Sequence, residues 1–294
     1  MINGRSIKKK KRRDIKQEIT TNVVEALQDM LAGKRTLAPW QRPFQSQGWV
    51  INNDSNFISK KPYRGINHLT TTMQGFGCPF WMTYKQATTL GGNVKKGAKG
   101  TPIVYWDIFE KENSDGEKKH IPFIRYFTVF NGDQVENVDF SKYKVEKVKN
   151  EDERNEEADR IISATGAQIS YGANMAAWNK LTGEIVMPHY EDFMSGDSFY
   201  STCFHELGHW TGPALKREQS GSFGSSDYAF EELVAEMTSA FMCNQVGIEG
   251  ELQHESYIAS WIKRLSNDVN YIFKASAMAQ KACDIICPPT EDVA

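Results

Sequence analysis

The spacing of hydrophobic residues predicts a helix near the start of the 294-residue chain. From Asp14 onward, apolar side chains recur at intervals of three to four residues, and Gly33 ends the run. The members of this stripe are Ile15, Ile19, Val23, Leu27 and Leu31. Such a stripe is typical of a helix that packs one face against a hydrophobic core.

The middle of the chain has the composition of β-strands. Residues 102–110 and 120–131 are rich in β-branched and aromatic residues, and they flank an Asn-Ser-Asp-Gly segment. This pattern predicts a β-hairpin. A shorter hairpin is predicted from residues 173–179 and 184–187, and Pro188 closes it. The remainder of the second half is predicted to be mostly helical.

The strongest chemical signal is the sequence His-Glu-Leu-Gly-His, which begins at His205. On a helix, His205 and His209 lie one turn apart on the same face and can reach one Zn²⁺ at about 2.0–2.1 Å. Glu206 is better placed to act as the general base, taking a proton from a water molecule in the open fourth position. Gly212 and Pro213 mark the expected end of this helix.

A second helix is predicted from Tyr228 to just before Gly247. A carboxylate is the usual third ligand when two histidines come from one helix, so Glu232 is expected to complete the site. Glu236, one turn further on, is expected to accept the free ring N–H of a ligand histidine. The alternative is a pair of helices with two satisfied histidines and a solvated acidic face.

Charge is distributed unevenly, although the formal net charge is only −2. Residues 1–100 contain 18 lysines and arginines against 5 acidic residues, while the remainder contains 17 against 32. This asymmetry predicts two domains with different partners, of which the basic one binds a polyanion. We expect domains at 1–140 and 156–294 with a charged linker at 141–155, and a disordered basic tail at 1–13.

Aromatic residues of the first hundred positions all lie within 36–84, and basic residues are interleaved with them. Flat rings that stack on bases, in a basic groove that follows the phosphates, are typical of proteins that bind single-stranded DNA without reading its sequence. The alternative is that many of these rings belong to the core. The candidate DNA-binding residues are Trp40, Arg42, Lys60, Lys61, Tyr63, Arg64, Trp81 and Lys85, followed by Lys95, Lys96 and Lys99 in a glycine-rich loop.

The sequence argues against a membrane or disulfide-stabilised protein. It contains no apolar run of 18 or more residues that could span a membrane. Its five cysteines are scattered and odd in number, which is typical of reduced core cysteines in a cytoplasmic protein.

Six motifs in order make the chain resemble ArdC-type antirestriction proteins, a family encoded on conjugative plasmids and other mobile elements. Besides the His-Glu-Leu-Gly-His motif, they are PWQRPF at 39–44, PYRGIN at 62–67, GNVKKG at 92–97, VFNGDQ at 129–134, EELVAE at 231–236 and SYIASW at 256–261. The resemblance runs the length of the sequence. The sequence departs from it at Pro213, where many relatives have a histidine after the glycine.

The resemblance implies an N-terminal domain that binds single-stranded DNA and a C-terminal zincin-like metallopeptidase domain. We therefore expect a two-domain α+β protein, with a mostly helical second domain that contains a small antiparallel sheet and one Zn²⁺ per chain. The resemblance also implies that the protein shields incoming DNA from host restriction.

Three functions remain open from the sequence. The first is an antirestriction factor with an active peptidase that cleaves a host protein such as a restriction component. The second is a DNA-binding protein whose zincin domain is only structural or recognises a partner. The third is a general zinc peptidase that its basic domain localises.

Overall fold

The computed structural model describes residues 13–42, 48–112, 118–145, 154–217, 219, 225–253 and 255–289. Its helices are α1 (Ile15–Leu31), α2 (Ile66–Thr72), α3 (Tyr84–Thr89), α4 (Glu156–Ala164), α5 (Gly196–Trp210), α6 (Ser226–Val246), α7 (Ile258–Asn267) and α8 (Tyr271–Ile286). Its strands are β1 (Ser55–Asn56), β2 (Phe80–Thr83), β3 (Asn93–Val94), β4 (Thr101–Glu112), β5 (Lys118–Asn131), β6 (Val135–Glu136), β7 (Ile169–Tyr171), β8 (Ala177–Trp178) and β9 (Ile185–Met187). The predicted basic tail up to residue 12, the hairpin turn and most of the predicted linker lie outside the described residues.

Helix α1 begins where the sequence predicts. The side chain of Asp14 caps it by accepting a hydrogen bond from the backbone N–H of Gln17 at 3.1 Å. Its apolar stripe is buried except for Leu31, the last helical residue, which is 59% exposed. The stripe therefore forms core contacts over about four turns and reaches solvent at the C-terminal end.

The N-terminal half contains a four-stranded sheet with the order β1-β2-β5-β4. Strands β4 and β5 pair antiparallel from Thr101↔Val129 to Glu112↔Lys118, as the hairpin prediction required. Strand β2 pairs with the other edge of β5 and also, in parallel, with β1. A separate two-stranded ladder joins β3 to β6.

The second half is mostly helical and contains a three-stranded sheet with the order β7-β9-β8. The predicted hairpin is present, because β8 and β9 pair antiparallel at Trp178↔Ile185. The sheet is mixed and not wholly antiparallel as expected, since β7 pairs in parallel with β9. Strand β7 was not predicted because it has only three residues, and they are partly or fully exposed. It is too short for an alternation of apolar and polar residues to be recognised.

One hydrophobic cluster contains residues from both halves of the chain. Helix α1 packs against α7, and the ring centroids of Trp40 and Trp261 lie 5.6 Å apart in an edge-to-face arrangement. The α+β architecture predicted from the sequence is confirmed, with its two halves packed on a shared core. Among the described residues, no helix is long and apolar enough to cross a membrane.

Candidate metal centre and nucleic-acid surface

Helix α5 carries both histidines of the motif. Ser195 caps it: the Ser195 hydroxyl accepts a hydrogen bond from the backbone N–H of Ser198 at 3.0 Å. The helix ends at Trp210, close to the predicted Gly212. It is buried from Ser198 to Gly208, which includes His205, whereas the His209 side chain is 14% exposed.

Helix α6 brings the third candidate ligand to α5. Ser225 caps its start, and Gly247 ends it with a left-handed φ of 72°. The two helices approach closely at Gly208, where an added Cβ would lie 3.1 Å from the Cα of Ala235. Glycine at this position therefore allows α6 to place the Glu232 carboxylate beside the histidines.

The three predicted metal ligands converge. The Nε2 atoms of His205 and His209 lie 3.1 Å apart. The Oε2 atom of Glu232 lies 3.4 Å from Nε2 of His205 and 3.7 Å from Nε2 of His209. These ligand atoms all lie within 4.8 Å of one another.

The chemistry of this group fits a divalent cation. His205 and Glu232 are 1% and 2% exposed, and two imidazole nitrogens with one carboxylate oxygen form a typical three-residue set of catalytic zinc sites. Such polar groups are costly to bury unless a charge or hydrogen bonds compensate for the loss of water. A bound cation at the point of convergence would supply that compensation.

Glu206 lies beside the ligands and is held by the mixed sheet. Its Oε2 atom accepts a hydrogen bond of 2.7 Å from the backbone N–H of Trp178 in β8. This contact fixes one carboxylate oxygen on the side of β8. The arrangement suits a general base whose orientation is set by the main chain.

Glu231 contacts the ring of His209, a contact for which the sequence analysis gave no expectation. Its Oε1 atom lies 3.1 Å from Nδ1 of His209, the ring nitrogen opposite the one that faces His205 and Glu232. Arg217 donates to both Glu231 oxygens, and Gln219 donates to Oε1 at 2.8 Å. In the sequence, only the position of Glu231 next to Glu232 pointed to it. Its partners Arg217 and Gln219 lie in the loop between α5 and α6, and no local pattern shows that this loop contacts Glu231.

Electrostatics at His209 reflect these neighbours. Burial opposes protonation of the ring, but hydrogen bonds with Glu231 and Glu232 outweigh that effect and raise the pKa of His209 to about 10. Burial also raises the pKa of Glu231, yet His209 and Arg217 outweigh it and lower that pKa to about 2. Without a cation, the site therefore favours a charged imidazolium between ionised carboxylates.

Glu236 lies beside the other histidine, on the side that the sequence predicted. Its Oε1 atom is 4.0 Å from Nδ1 of His205 and accepts a hydrogen bond of 2.9 Å from the backbone N–H of Gln253. The segment before α7 therefore helps to hold Glu236 next to His205.

Four of the residues predicted to bind DNA are instead core residues. Trp40 and Trp81 are fully buried, and the Tyr63 ring is 6% exposed. Arg42 is buried too, where it pairs with Asp54 at 3.4 Å. The expectation that these side chains offer stacking faces or a free charge to DNA is wrong, because packing buries nearly all of each side chain.

The seven predicted lysine and arginine contacts other than Arg42 are exposed, namely Lys60, Lys61, Arg64, Lys85, Lys95, Lys96 and Lys99. Arg64 donates to both oxygens of Asp284 in α8, and Lys95 donates to the backbone carbonyl of Asp133 at 2.8 Å. Lys60 lies 3.6 Å from the centroid of the Phe57 ring. All seven side chains are exposed and give the N-terminal half a basic surface.

Most of the exposed aromatic rings described in the N-terminal half lie outside the predicted stretch 36–84, although Tyr84 within it is 62% exposed. They include four rings on the β4–β5 ribbon, which are 43–61% exposed: Tyr105, Trp106, Tyr126 and Phe127. The sequence analysis assigned these four residues to the predicted hairpin. Strand pairing alone does not show which face of the hairpin is covered by another element, so their exposure could not be predicted.

Family models match both halves of the chain. Residues 13–130 match the N-terminal domain of the anti-restriction factor ArdC, and residues 156–278 match a zincin-like metallopeptidase. A crystal structure of the metal-free antirestriction ArdC protein from plasmid R388 is 33% identical, with a TM-score of 0.77 over 93% of this chain and 97% of that one.

The chain belongs to the ArdC family of antirestriction proteins. A second crystal structure of the R388 ArdC protein, with Mn(II) bound, is 31% identical with a TM-score of 0.73. The match to a zincin-like domain and the Mn(II) of this relative both indicate a divalent metal for this ArdC-family chain.

Two other relatives differ in how much of their length matches this chain. A DNA primase TraC of Escherichia coli is 36% identical over 285 residues, which are 90% of this chain but 19% of that protein. The uncharacterized protein y4eC of Sinorhizobium fredii is 32% identical over 92% of this chain and 91% of its own length. The ArdC-like unit thus occurs both nearly alone and within a much longer primase.

Proposed function

We propose that this chain protects the incoming DNA of a plasmid or other mobile element from host restriction, binds single-stranded DNA, and hydrolyses peptide bonds at a zinc site. Membership of the ArdC family supports the antirestriction role. The observation that carries the enzymatic part is the convergence of His205, His209 and Glu232 beside Glu206. Restriction acts on DNA inside the cell, so the proposed place of action is the cytoplasm.

Zinc is the proposed ion because two imidazoles and a carboxylate match its preferred donors. His205, His209 and Glu232 would hold one ion per chain. When bound, it supplies a Lewis acid that polarises a peptide carbonyl and acidifies water. Glu231 lies at hydrogen-bond distance from the far side of the His209 ring and would set its orientation. Glu236 lies 4.0 Å from the far side of the His205 ring.

The residues of this chain then have separate tasks. Glu206 takes a proton from the attacking water molecule and returns it to the leaving amine, with its orientation kept by the N–H of Trp178. Strand β8 lies at the edge of its sheet and contacts α5. An extended peptide added along that edge would be presented to Glu206 by main-chain hydrogen bonds.

The DNA-binding part rests on charge and exposed rings together. The first hundred residues contain 18 basic against 5 acidic residues, and the β4–β5 ribbon exposes aromatic rings beside Arg125 and Lys16. Lysines attract phosphates of any nucleic acid, whereas flat rings stack only on unpaired bases. Single-stranded DNA is therefore the ligand that uses both features.

The enzymatic proposal is tested with purified full-length protein and two variants. We expect stoichiometric zinc in the wild type and in Glu206→Gln, and none in the His205→Ala/His209→Ala variant. The glutamine keeps the size and shape of the side chain but cannot accept the proton, so hydrolysis of candidate host proteins, restriction components included, should be lost. Full zinc in the double histidine variant contradicts the metal site, and equal activity in Glu206→Gln removes Glu206 from the reaction. Failure of the wild type to cleave any host protein would favour a structural zincin domain.

A further inference from the structure

A groove runs along the junction between the two halves of the chain. It consists of two cavities of about 670 and 620 Å³, which share Arg64, Gln280 and Asp284 as lining residues and therefore adjoin. We call this feature the junction groove. One wall comes from the segment 59–67, α1 and β4, and the other from α4 and α8.

Basic side chains dominate the lining of the junction groove. They are Lys16, Lys60, Lys61, Arg64, Arg160, Lys274 and Lys281, against the acidic Glu157 and Asp284. Both acids are paired, Glu157 with Arg160 and Asp284 with Arg64, and Lys274 pairs at 3.4 Å with Asp268, which does not line the groove. The lining residues themselves have a positive excess of five. The second half of the chain is acidic as a whole. Its contribution to this groove is nevertheless mainly basic, through Arg160, Lys274 and Lys281.

A tryptophan stands at the rim of the groove. Trp106 of β4 lines it and is 61% exposed, which is unusual for a side chain that is highly buried on average. The Nζ atom of Lys16 lies 5.2 Å from the Trp106 ring centroid and donates to Asn270 of the second half at 2.8 Å. The ring therefore lies beside a lysine that bonds to the second half, and it lines the same cavity as Lys274 and Lys281 of that half.

We infer that a single strand of DNA lies in the junction groove, with an unpaired base stacked on Trp106 and phosphates bound by lysines of α8 as well as by Lys60 and Lys61. This inference rests on the proposed binding of single-stranded DNA and names its path. The binding surface then includes the metallopeptidase half and is not confined to residues 1–140. An indole face is available only to unpaired bases, which favours a single strand over a duplex.

Two pairs of lysines in the second half allow a matched test in the full-length protein. Lys274→Ala/Lys281→Ala removes two charges from the groove, whereas Lys180→Ala/Lys263→Ala removes two exposed charges that do not line it. Binding of a fluorescent oligothymidylate is measured by anisotropy at two salt concentrations. We expect the Lys274→Ala/Lys281→Ala variant to bind about fivefold or more weakly than the wild type. The slope of log affinity against log salt concentration should decrease in magnitude by about 1.4, since each lost phosphate contact on a single strand contributes about 0.7. The control pair should stay within about twofold of the wild type.

Trp106 is tested separately with Trp106→Ala and Trp106→Phe. Loss of the ring should weaken oligothymidylate binding by about fivefold or more, and phenylalanine should restore most of it, because one stacked base contributes about 1–3 kcal/mol. Circular dichroism checks that each variant is folded. Wild-type affinity in either the lysine groove pair or Trp106→Ala overturns the proposed path, and so does an equal loss in the control pair. Absence of binding by the wild type itself contradicts the proposed function instead.

Discussion

The Nδ1 atom of His209 lies 3.1 Å from Oε1 of Glu231, while Oε2 of Glu232 lies 3.7 Å from Nε2 of the same ring. Two consecutive glutamates of α6 therefore meet opposite nitrogens of one imidazole. Contact with Glu231 turns Nε2 toward His205 and Glu232, where the cation is proposed to bind. Arg217 and Gln219 hold Glu231 in turn.

This division of roles predicts different effects at the two positions. Glu232→Gln should abolish stoichiometric zinc, because it removes a ligand charge from a buried site. Glu231→Gln should keep one zinc per chain but weaken its affinity about 10- to 100-fold, the usual cost of losing a group that orients a ligand histidine. Competition with a coloured chelator measures both affinities.

One result of the same experiment would contradict the assignment of the two glutamates. If Glu231→Gln loses its zinc and Glu232→Gln retains it, the two residues have been assigned in the wrong order. Arg217→Lys provides a further control, since it keeps the positive charge but loses the two-pronged contact with Glu231. It should weaken zinc binding in the same direction as Glu231→Gln.

Close approach of α5 and α6 at Gly208 predicts a steric effect. A Cβ in Gly208→Ala would lie 3.1 Å from the Cα of Ala235 and 3.3 Å from the Cβ of Thr238, so the helices must separate. We expect the free energy of unfolding of the metal-free protein to fall by about 1–3 kcal/mol, as for other overpacked cores. Zinc affinity should fall too, because Glu232 moves with α6. Chemical denaturation measures the stability. If Gly208→Ala has the stability and the zinc affinity of the wild type, the contact between the two helices is not tight.

Burial separates the roles of two tryptophans. Trp40→Ala should destabilise the protein by about 3–5 kcal/mol, because a fully buried ring in contact with Trp261 is lost from the shared core. Trp106→Ala removes an exposed ring and should change stability by no more than about 0.5 kcal/mol. Thermal or urea unfolding of both variants makes the comparison. Equal stability of the two variants would contradict the placement of Trp40 in the core.

His68 of α2 predicts a loss of stability in acid. The ring is buried against Phe241 of α6, where burial lowers its pKa from 6.5 to about 4, and its Nε2 accepts a hydrogen bond from Asn244 at 3.0 Å. The unfolded chain binds the proton more readily, so unfolding becomes easier as the pH falls from 6.5 through 4. The shift corresponds to about 3 kcal/mol.

Urea unfolding at a series of pH values tests this expectation. His68→Gln should lose that part of the pH dependence, whereas the exposed His189→Gln should keep it. If the stability of the wild type declines between pH 6.5 and 4 no more than that of His68→Gln, the pKa of His68 is not lowered.

The sequence predicted the elements whose signals are local. The spacing of His205 and His209, the apolar stripe of α1 and the alternating strands around the β4–β5 turn each depend on neighbours within a few residues, and each element is present. Glu232 followed from the usual chemistry of zinc ligands and lies beside both histidines.

The remaining features depend on contacts between distant segments. Trp40 looked like a stacking ring because it lies in a basic stretch, but α7 covers it with Trp261. Glu231 acquires its role from Arg217 and Gln219, whose loop carries no regular pattern. The junction groove joins Arg64 to Asp284, and no local pattern links residues 220 positions apart.

We propose that restriction protection depends on proton transfer at Glu206. The direct measurement is the survival of unmodified plasmid DNA transferred into a restricting host that produces either the wild type or Glu206→Gln at equal levels. Zinc content and single-strand binding of the purified variant are checked in parallel, and both should equal those of the wild type. We expect protection to be lost in Glu206→Gln. Full protection by Glu206→Gln would contradict the claim and would assign the antirestriction effect to DNA binding alone.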